Sequence, residues 1–301
     1  MGTPEFAVPS LELLIQNKKN VVAVITAEDK PQGRGQRTSM SPVKEFVVKE
    51  GIKVLQPSKL KDPEFIQELK GIKADLQIVV AFRMLPEIVW SMPPNGTFNL
   101  HASLLPQYRG AAPINWAIIN GESRTGVTTF FLQHEIDTGE IIFQQEEPIS
   151  ADDDAGTLYN RLKHTGAELV LRTVQAIESG EVKTYKQYSS QELKSAPKIF
   201  KETCQIKWDQ SGEAIRNFVR GLNPYPAAWM KVGDKQFKVF RIEIVSDRSA
   251  LRIGEIRSDQ ESYIHVGCQD GTISILDFQL EGKRKMNVID FFRGNTLPVE
   301  S

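Results

Sequence analysis

The chain has little cysteine and little histidine: two Cys and four His in 301 residues. Cys204 and Cys268 lie far apart in sequence, and with scattered histidines they make neither a disulfide framework nor a zinc pattern. No metal is expected. Charge of one sign is also missing. Thirty-seven Lys and Arg face 38 Asp and Glu, for a formal net charge of -1. Bulk charge therefore gives no argument for nucleic acid, and any such role must rest on local patches. No apolar run approaches the length of a membrane span, and no charged-then-apolar leader opens the chain. These two absences set the expectation of a cytoplasmic protein with no membrane contact. The sequence also lacks G-x-S-x-G, the Walker A pattern and G-x-G-x-x-G, so hydrolase, NTPase and dinucleotide-binding readings are without their usual marks.

What is present reads as an ordinary globular composition, 40% hydrophobic and 25% charged, at a length that favours two domains. In the first half, strand-like runs alternate with helical patterns. Residues 21–26 (VVAVIT) and 76–82 (LQIVVAF) have the continuous apolar character of strands buried on both faces. Ser10 is a candidate cap for a helix carrying Leu11, Leu14 and Ile15, and Ser41-Pro42 opens a helix through Lys49. Strands alternating with helices imply a parallel-rich sheet. Residues 27–41 form a long aperiodic connection carrying Lys30, Arg34 and Arg37, of the kind that is either functional or simply solvated. The acidic cluster Asp152–Asp154 precedes a long amphipathic helix ending at Gly180, so these aspartates read as caps and dipole partners rather than metal ligands. Residues 181–205 are lysine-bearing and weakly apolar, like a connector. Beyond them, short strands with glycine-containing turns suggest a small β-barrel. The expected layout is thus a catalytic α/β domain over 1–180, a linker over 181–205 and a β domain over 206–301.

The segment FNLHASLLPQYRGAAPINW, residues 98–116, draws attention because Asn99 and His101 end an apolar strand. A spacing of two puts both side chains on one face. In an open parallel sheet, reactive groups gather beyond the strands' carboxyl ends. An amide and an imidazole there could stabilise an oxyanion and move a proton. Asp137, in the turn-like stretch HEIDTGE, is the candidate to orient the imidazole and favour its charged form. Each residue also has an ordinary reading as a surface histidine or a common turn.

The residues that decide between these readings are Asn99-x-His101, then Ser103-Leu104-Leu105-Pro106, then Asp137-Thr138-Gly139. In this order and spacing they resemble the formyltransferases that use 10-formyltetrahydrofolate. MGTPEFAVPSLELL, KPQGRGQRTSMSPVK, GLNPYPAAWMKV and GKRKMNVIDFFRGN narrow the resemblance to the methionyl-tRNA formyltransferase family, and it covers essentially the full chain. The family usually carries an apolar strand, central in the sheet, before Gly-Thr-Pro, whereas this chain begins at Met1-Gly2. That points to an incomplete N-terminus or a choice of start site. Phe82-Arg83 stands where many members have Tyr-Gly.

The resemblance implies a Rossmann-like formyltransferase domain followed by an OB-like β-barrel. It implies Asn99, His101 and Asp137 as catalytic residues. Ser103, Leu104, Leu105 and Pro106, with Phe82 and Leu85, would line the pocket of the folate co-substrate. Lys30, Arg34 and Arg37, with Lys283, Arg284 and Lys285, would contact initiator methionyl-tRNA. The protein is expected to act as a monomer. A sugar-nucleotide formyltransferase shares the Asn–His–Asp core, but the basic loop and the C-terminal region argue against it. A non-catalytic RNA-binding protein on the same scaffold is disfavoured by the intact set.

Overall fold

The computed structural model describes residues 1–32, 37–189, 192–245 and 251–297. The chain divides into two compact units. One holds Met1–Gly110, Thr125–Glu147 and Tyr159–Ser195; the other holds Ala111–Arg124, Pro148–Leu158 and Ala196–Ser301. In chain order the first elements are α1 (Val8–Gln16), β1 (Val24–Ile25), β2 (Lys30–Gln32), β3 (Arg37–Ser39), α2 (Pro42–Lys49) and β4 (Val54–Leu55). Next come α3 (Pro63–Ile72), β5 (Gln77–Val80), α4 (Glu87–Trp90), β6 (Thr97–His101) and β7 (Arg109–Gly110). Then follow α5 (Pro113–Ile119), β8 (Arg124–Phe131), β9 (Ile141–Pro148) and α6 (Ala155–Ser179).

Local chemistry accounts for the helix starts. Ser41 Oγ accepts from the Lys44 N–H with Pro42 at the first helical position, and Asp62 Oδ1 accepts from the Glu64 and Phe65 N–H groups ahead of Pro63. Spacing then turns apolar faces inward: Val43 and Val47 on α2, Phe65 and Leu69 on α3. Ser10 is not a cap. α1 already begins at Val8, and the Ser10 hydroxyl is buried without a hydrogen-bond partner.

Among the described residues, β5-β6-β8-β9 form one sheet, with β5 and β6 parallel and β6 and β8 antiparallel, and β1 pairs with β4 in a separate parallel pair. Gly2 stands between them. Its N–H donates to the Ile25 carbonyl at 3.0 Å, it bridges Val80 in parallel, and the Val80 N–H donates to the Met1 carbonyl at 2.9 Å. A Cβ at residue 2 would lie 2.8 Å from the Val80 oxygen, so only glycine fits. The run 21–26 is strand only over Val24–Ile25, and Val22 is 42% exposed. Its first residues pair with no strand among the described residues, and Val21 and Ala23 are only partly buried.

The connection over residues 27–41 is not wholly aperiodic. β2 and β3 pair as an antiparallel hairpin, Lys30 opposite Ser39 and Gln32 opposite Arg37. Asp29 holds its base, accepting from Lys44 Nζ at 2.5 Å and Gln56 Nε2 at 2.8 Å. The Lys44 ammonium, then the Gln56 amide, draws the Asp29 carboxyl below its ordinary range.

β10 (Ser195–Ala196) falls at the boundary of the two units, and the second then holds α7 (Gly212–Leu222), β11 (Ala228–Val232), β12 (Lys235–Val245), β13 (Ile256–Ser258), β14 (Ile264–Gly267), β15 (Thr272–Leu280), β16 (Met286–Asn287) and α8 (Val288–Phe292). The strands form an antiparallel sheet in the order β11-β12-β15-β14-β13, with β16 on β15. Register shifts around Arg241 bend β12, and the sheet curls as a half-barrel, the form taken by the OB-like domain the sequence implied. Phe237, Phe278 and Phe291 meet in its core with ring centroids 5.1–6.2 Å apart. Cys204 and Cys268 are both free and buried. Two of the three aspartates before α6 act as the sequence suggests: Asp154 Oδ1 accepts from the Thr157 N–H at the helix start, and Asp153 Oδ2 accepts from the Ser150 N–H in the turn before it, each at 2.8 Å. No helix of the described residues is long and apolar enough to cross a membrane.

Candidate active site

β6 is buried at Thr97, Phe98, Leu100 and His101, with Asn99 partly open. Its two-residue period puts Asn99 and His101 on the same face. The Asn99 side-chain amide has no partner among the described residues, which leaves two N–H donors and a carbonyl for a ligand. His101 is 6% exposed and held on both sides. Its Nε2–H donates to the Tyr108 carbonyl at 2.8 Å, and its Nδ1 faces Asp137 Oδ2 at 3.8 Å. The second distance is that of an ion pair, longer than a hydrogen bond. A ring carrying N–H on both nitrogens therefore meets an acceptor on each side.

Two left-handed residues build this clamp, Tyr108 at φ 59° and Asp137 at φ 55°. Aspartate tolerates that region better than most L residues. The Asp137 carboxylate is fixed at Oδ2 by the Gly110 N–H at 3.0 Å. Its turn is wedged by Gly139, where a Cβ would overlap the Phe131 carbonyl oxygen.

The residues expected at the folate pocket divide into two groups. Ser103 and Leu105 are buried and shape the loop after β6: Ser103 Oγ donates to the Gln107 carbonyl at 2.6 Å, and Leu105 packs with Phe130 and Ile141. Thr128 Oγ1 donates to the Ser103 carbonyl at 2.6 Å, and Gln144 Nε2 to the Leu105 carbonyl at 2.9 Å. Leu104 lies against Gly126, where a Cβ would stand 2.6 Å from a Leu104 methyl carbon, and Pro106 is partly buried. Phe82 and Leu85 lie in the loop after β5 and pack on the Ile25–Val79 cluster. Because Val80 pairs with Leu100, that loop starts beside His101. A cleft of about 540 Å³ opens at the same loop, lined by Leu60, Lys61, Arg83, Met84, Pro86, Glu87 and Ile88. Its lining takes in neither Phe82 and Leu85 nor the Asn99–His101–Asp137 set. Arg83 is drawn over its rim, donating to the Pro57 and Ser58 carbonyls.

Residues 1–174 match the formyl transferase family model, and residues 198–296 match the model of the formyl transferase C-terminal domain. Methionyl-tRNA formyltransferase from Phocaeicola vulgatus is 56% identical over 304 residues, covering 98% of this chain and 94% of the relative. The enzyme of the same name from Bacteroides fragilis is 51% identical over 302 residues, covering 98% and 93%. The chain belongs to the methionyl-tRNA formyltransferase family. Solved sugar formyltransferases share the fold at lower identity. WlaRD, a sugar 3N-formyl transferase crystallised with dTDP and 5-N-formyl-THF, aligns at TM-score 0.67 and 22% identity over 94% of this chain and 97% of that one. An N-formyltransferase from Helicobacter canadensis aligns at 0.67 and 24% over 91% and 96%.

The basic residues expected in this family to meet tRNA are placed unevenly. Lys30 is exposed on β2, Arg37 begins β3, and Arg34 lies outside the described residues. Lys283, Arg284 and Lys285 are exposed in the turn between β15 and β16, with Lys285 Nζ 4.7 Å from the Phe240 ring centroid. Sequence reasoning missed Tyr108, which acts through its backbone and leaves no residue-type signal, and the N–H of Gly110 as the Asp137 partner, although a glycine at φ 126° is itself a turn signal. It also missed Gln187, which donates to the Asp137 and Gly139 carbonyls from a weakly patterned stretch fifty residues downstream of Asp137.

Proposed function

We propose that the chain transfers the formyl group of 10-formyltetrahydrofolate to the amino group of methionine carried on initiator tRNA. The observation that carries this reading is His101, clamped between the Tyr108 carbonyl and the Asp137 carboxylate, on the same strand face as an unpartnered Asn99 amide. The attacking amine must be neutral. Free α-amines titrate at about 7.7–8.0, and the ester of the charged tRNA lowers this by induction, so no strong base is required. A C–N bond forms to the methionine nitrogen, and the bond from the formyl carbon to the folate nitrogen breaks. The proton the amine gives up balances the one the folate nitrogen gains.

This chain's own groups stabilise that exchange. The Asn99 amide and an N–H of His101 meet the negative charge that builds on the formyl oxygen, preorganised where water would otherwise have to reorient. Asp137 keeps the imidazole oriented and offsets its charge. The Phe82–Leu85 loop and the Ser103–Pro106 loop hold the folate, which their neighbouring starts on the paired β5 and β6 support. Lys30, Arg34 and Arg37, with Lys283, Arg284 and Lys285, hold phosphates of the tRNA. The catalytic domain is assigned to 1–180, the linker to 181–205 and the tRNA-binding domain to 206–301.

The test is incorporation of labelled formyl from 10-formyltetrahydrofolate into charged initiator tRNA, with an amino-sugar nucleotide as the alternative acceptor. Turnover of the tRNA alone is expected. Turnover of the sugar nucleotide alone would overturn the reading.

A further inference from the structure

We infer that Gln187 is a positioning residue for formyl transfer, and that it and residues 192–194 hold the two sides of the His101 clamp. The inference rests on the assignment of Asn99, His101 and Asp137 to catalysis. It starts from how little else holds the Asp137 turn. Residues 133–136 just before it are exposed, so the turn has little apolar anchorage of its own. Beyond the close packing of Gly139 on Phe131, polar contacts set its geometry.

Gln187 supplies them with its whole amide. Nε2 donates to the Asp137 carbonyl at 2.8 Å and to the Gly139 carbonyl at 2.9 Å. One NH₂ group thus closes the turn across Thr138. On its other side, Oε1 accepts from Arg109 Nε at 3.1 Å and Arg109 Nη2 at 2.6 Å. The fork of Arg109 fixes which way the amide faces, so the donors point at the turn. Gln187 is partly buried while Lys186 and Tyr188 beside it are exposed, so its side chain is turned inward relative to its two neighbours.

Residues 192–194 hold the other half of the clamp. The Tyr108 N–H donates to the Lys194 carbonyl at 2.7 Å, and the Tyr108 carbonyl is the partner of His101 Nε2. Gln107 completes the junction, accepting from the Lys194 N–H at 2.8 Å and donating to the Glu192 carbonyl at 3.1 Å. Further back, Tyr185 and Ile141 exchange backbone hydrogen bonds at 2.9 and 3.1 Å. Both partners of the imidazole, one a backbone carbonyl and one a carboxylate, are therefore set by Gln187 and residues 192–194, which touch neither ring nitrogen themselves. A shift of these residues changes the orientation of His101 without removing any group from the site.

The experiment measures kcat and both KM values for Gln187→Met and Gln187→Glu, each alone and combined with Asp137→Ala. Methionine keeps the volume and removes every hydrogen bond. Glutamate keeps the Arg109 partner but turns an acceptor toward two carbonyls. Misplacing a catalytic group by about an ångström costs up to about 100-fold, so kcat is expected to fall about tenfold or more in both variants. KM for tRNA and for the folate should stay near the wild-type values. In the Asp137→Ala background the Gln187 substitutions should add less than about twofold, because their effect runs through Asp137. Losses that multiply fully in that background, a change confined to the tRNA KM, or wild-type kcat in the single variants would each overturn the inference. Wild-type kcat in Asp137→Ala alone would instead remove the catalytic assignment beneath it. The thermal midpoint of each variant separates either result from misfolding, and a variant that fails to fold leaves the other to decide.

Discussion

Gly139 lies so close to Phe131 that a Cβ on residue 139 would stand 1.6 Å from the Phe131 carbonyl oxygen. Neither partner can yield easily, because the Phe131 N–H is bonded to the Glu140 carbonyl at 3.0 Å and residue 131 ends β8. Gly139→Ala must therefore push the Asp137 turn away from the sheet. Overpacking of this kind costs about 1–3 kcal/mol. A lower urea midpoint together with a lower kcat is expected. Native stability with native turnover in this variant would show that the turn tolerates displacement.

Asn99→Ala, His101→Ala and Asp137→Ala address the chemistry directly. Loss of one oxyanion donor costs about 10²–10³ in rate, and comparable losses in kcat are expected for Asn99 and His101. Asp137→Ala should lose most turnover because it leaves Nδ1 facing no charge. The fold should survive in all three, as read by circular dichroism. Any one of them retaining near-wild-type kcat removes that residue from the mechanism.

The strand ending at Asn99 and His101 was legible because its period of two and its apolar neighbours are local facts. The helix at Ser41-Pro42 and the capping aspartates were legible for the same reason. Other features were not local. The run 21–26 reads as a buried strand, yet whether it pairs depends on which neighbours the sheet offers, and the ladder to β4 takes up only Val24 and Ile25. The hairpin of β2 and β3 carries no apolar alternation. Its register comes from backbone pairing, with Asp29, Lys44 and Gln56 closing the base. Tyr108, Gly110 and Gln187 contribute through main-chain atoms or one amide at long sequence separation, which no periodicity reports.

The basic connection offers a test that separates the two substrates. Arg34 lies between two glycines in the sequence that joins β2 to β3, outside the described residues. Arg34→Ala should raise the KM for charged tRNA while leaving that for 10-formyltetrahydrofolate unchanged. Proteolysis within residues 30–38 should slow when charged tRNA is added. A rise in the folate KM with unaltered tRNA use would reassign the loop.

The two thiols give a pH dependence. Burial pushes both Cys204 and Cys268 above the usual thiol range, with Glu202 reinforcing the effect at Cys204. A group with a raised folded pKa contributes stability that is complete below its unfolded value, about 8.5 for Cys. That contribution is lost as pH rises through the folded value. The urea midpoint should therefore decline as pH rises above about 8.5, and a Cys204→Ala, Cys268→Ala double variant should decline less. Both thiols should also resist iodoacetamide in the folded protein and react on unfolding. Rapid alkylation of the native protein, or an equal decline in the double variant, would show that thiol burial does not set the trend.

The turn between β15 and β16 tests the tRNA contact proposed for the C-terminal domain. With the whole chain at a net charge of -1, attraction must come from a local stripe. Lys283, Arg284 and Lys285 are consecutive and exposed, and the carbonyl of Lys283 is tied to Gln279 Nε2 at 2.7 Å, so the turn presents its charges from a fixed backbone. Each phosphate neutralised releases condensed counterions, and log affinity falls with log salt by roughly 0.9 per contact in duplex DNA, a guide for RNA helices. Replacing all three residues with alanine should reduce the slope by about one to three such contacts and weaken tRNA binding most at low salt. The KM for 10-formyltetrahydrofolate should not change. The measurement is tRNA affinity at several salt concentrations for wild type and triple variant. Identical slopes would falsify a phosphate-contacting role and leave the turn a solvated hairpin, because a charge that displaces no counterion is not meeting phosphate.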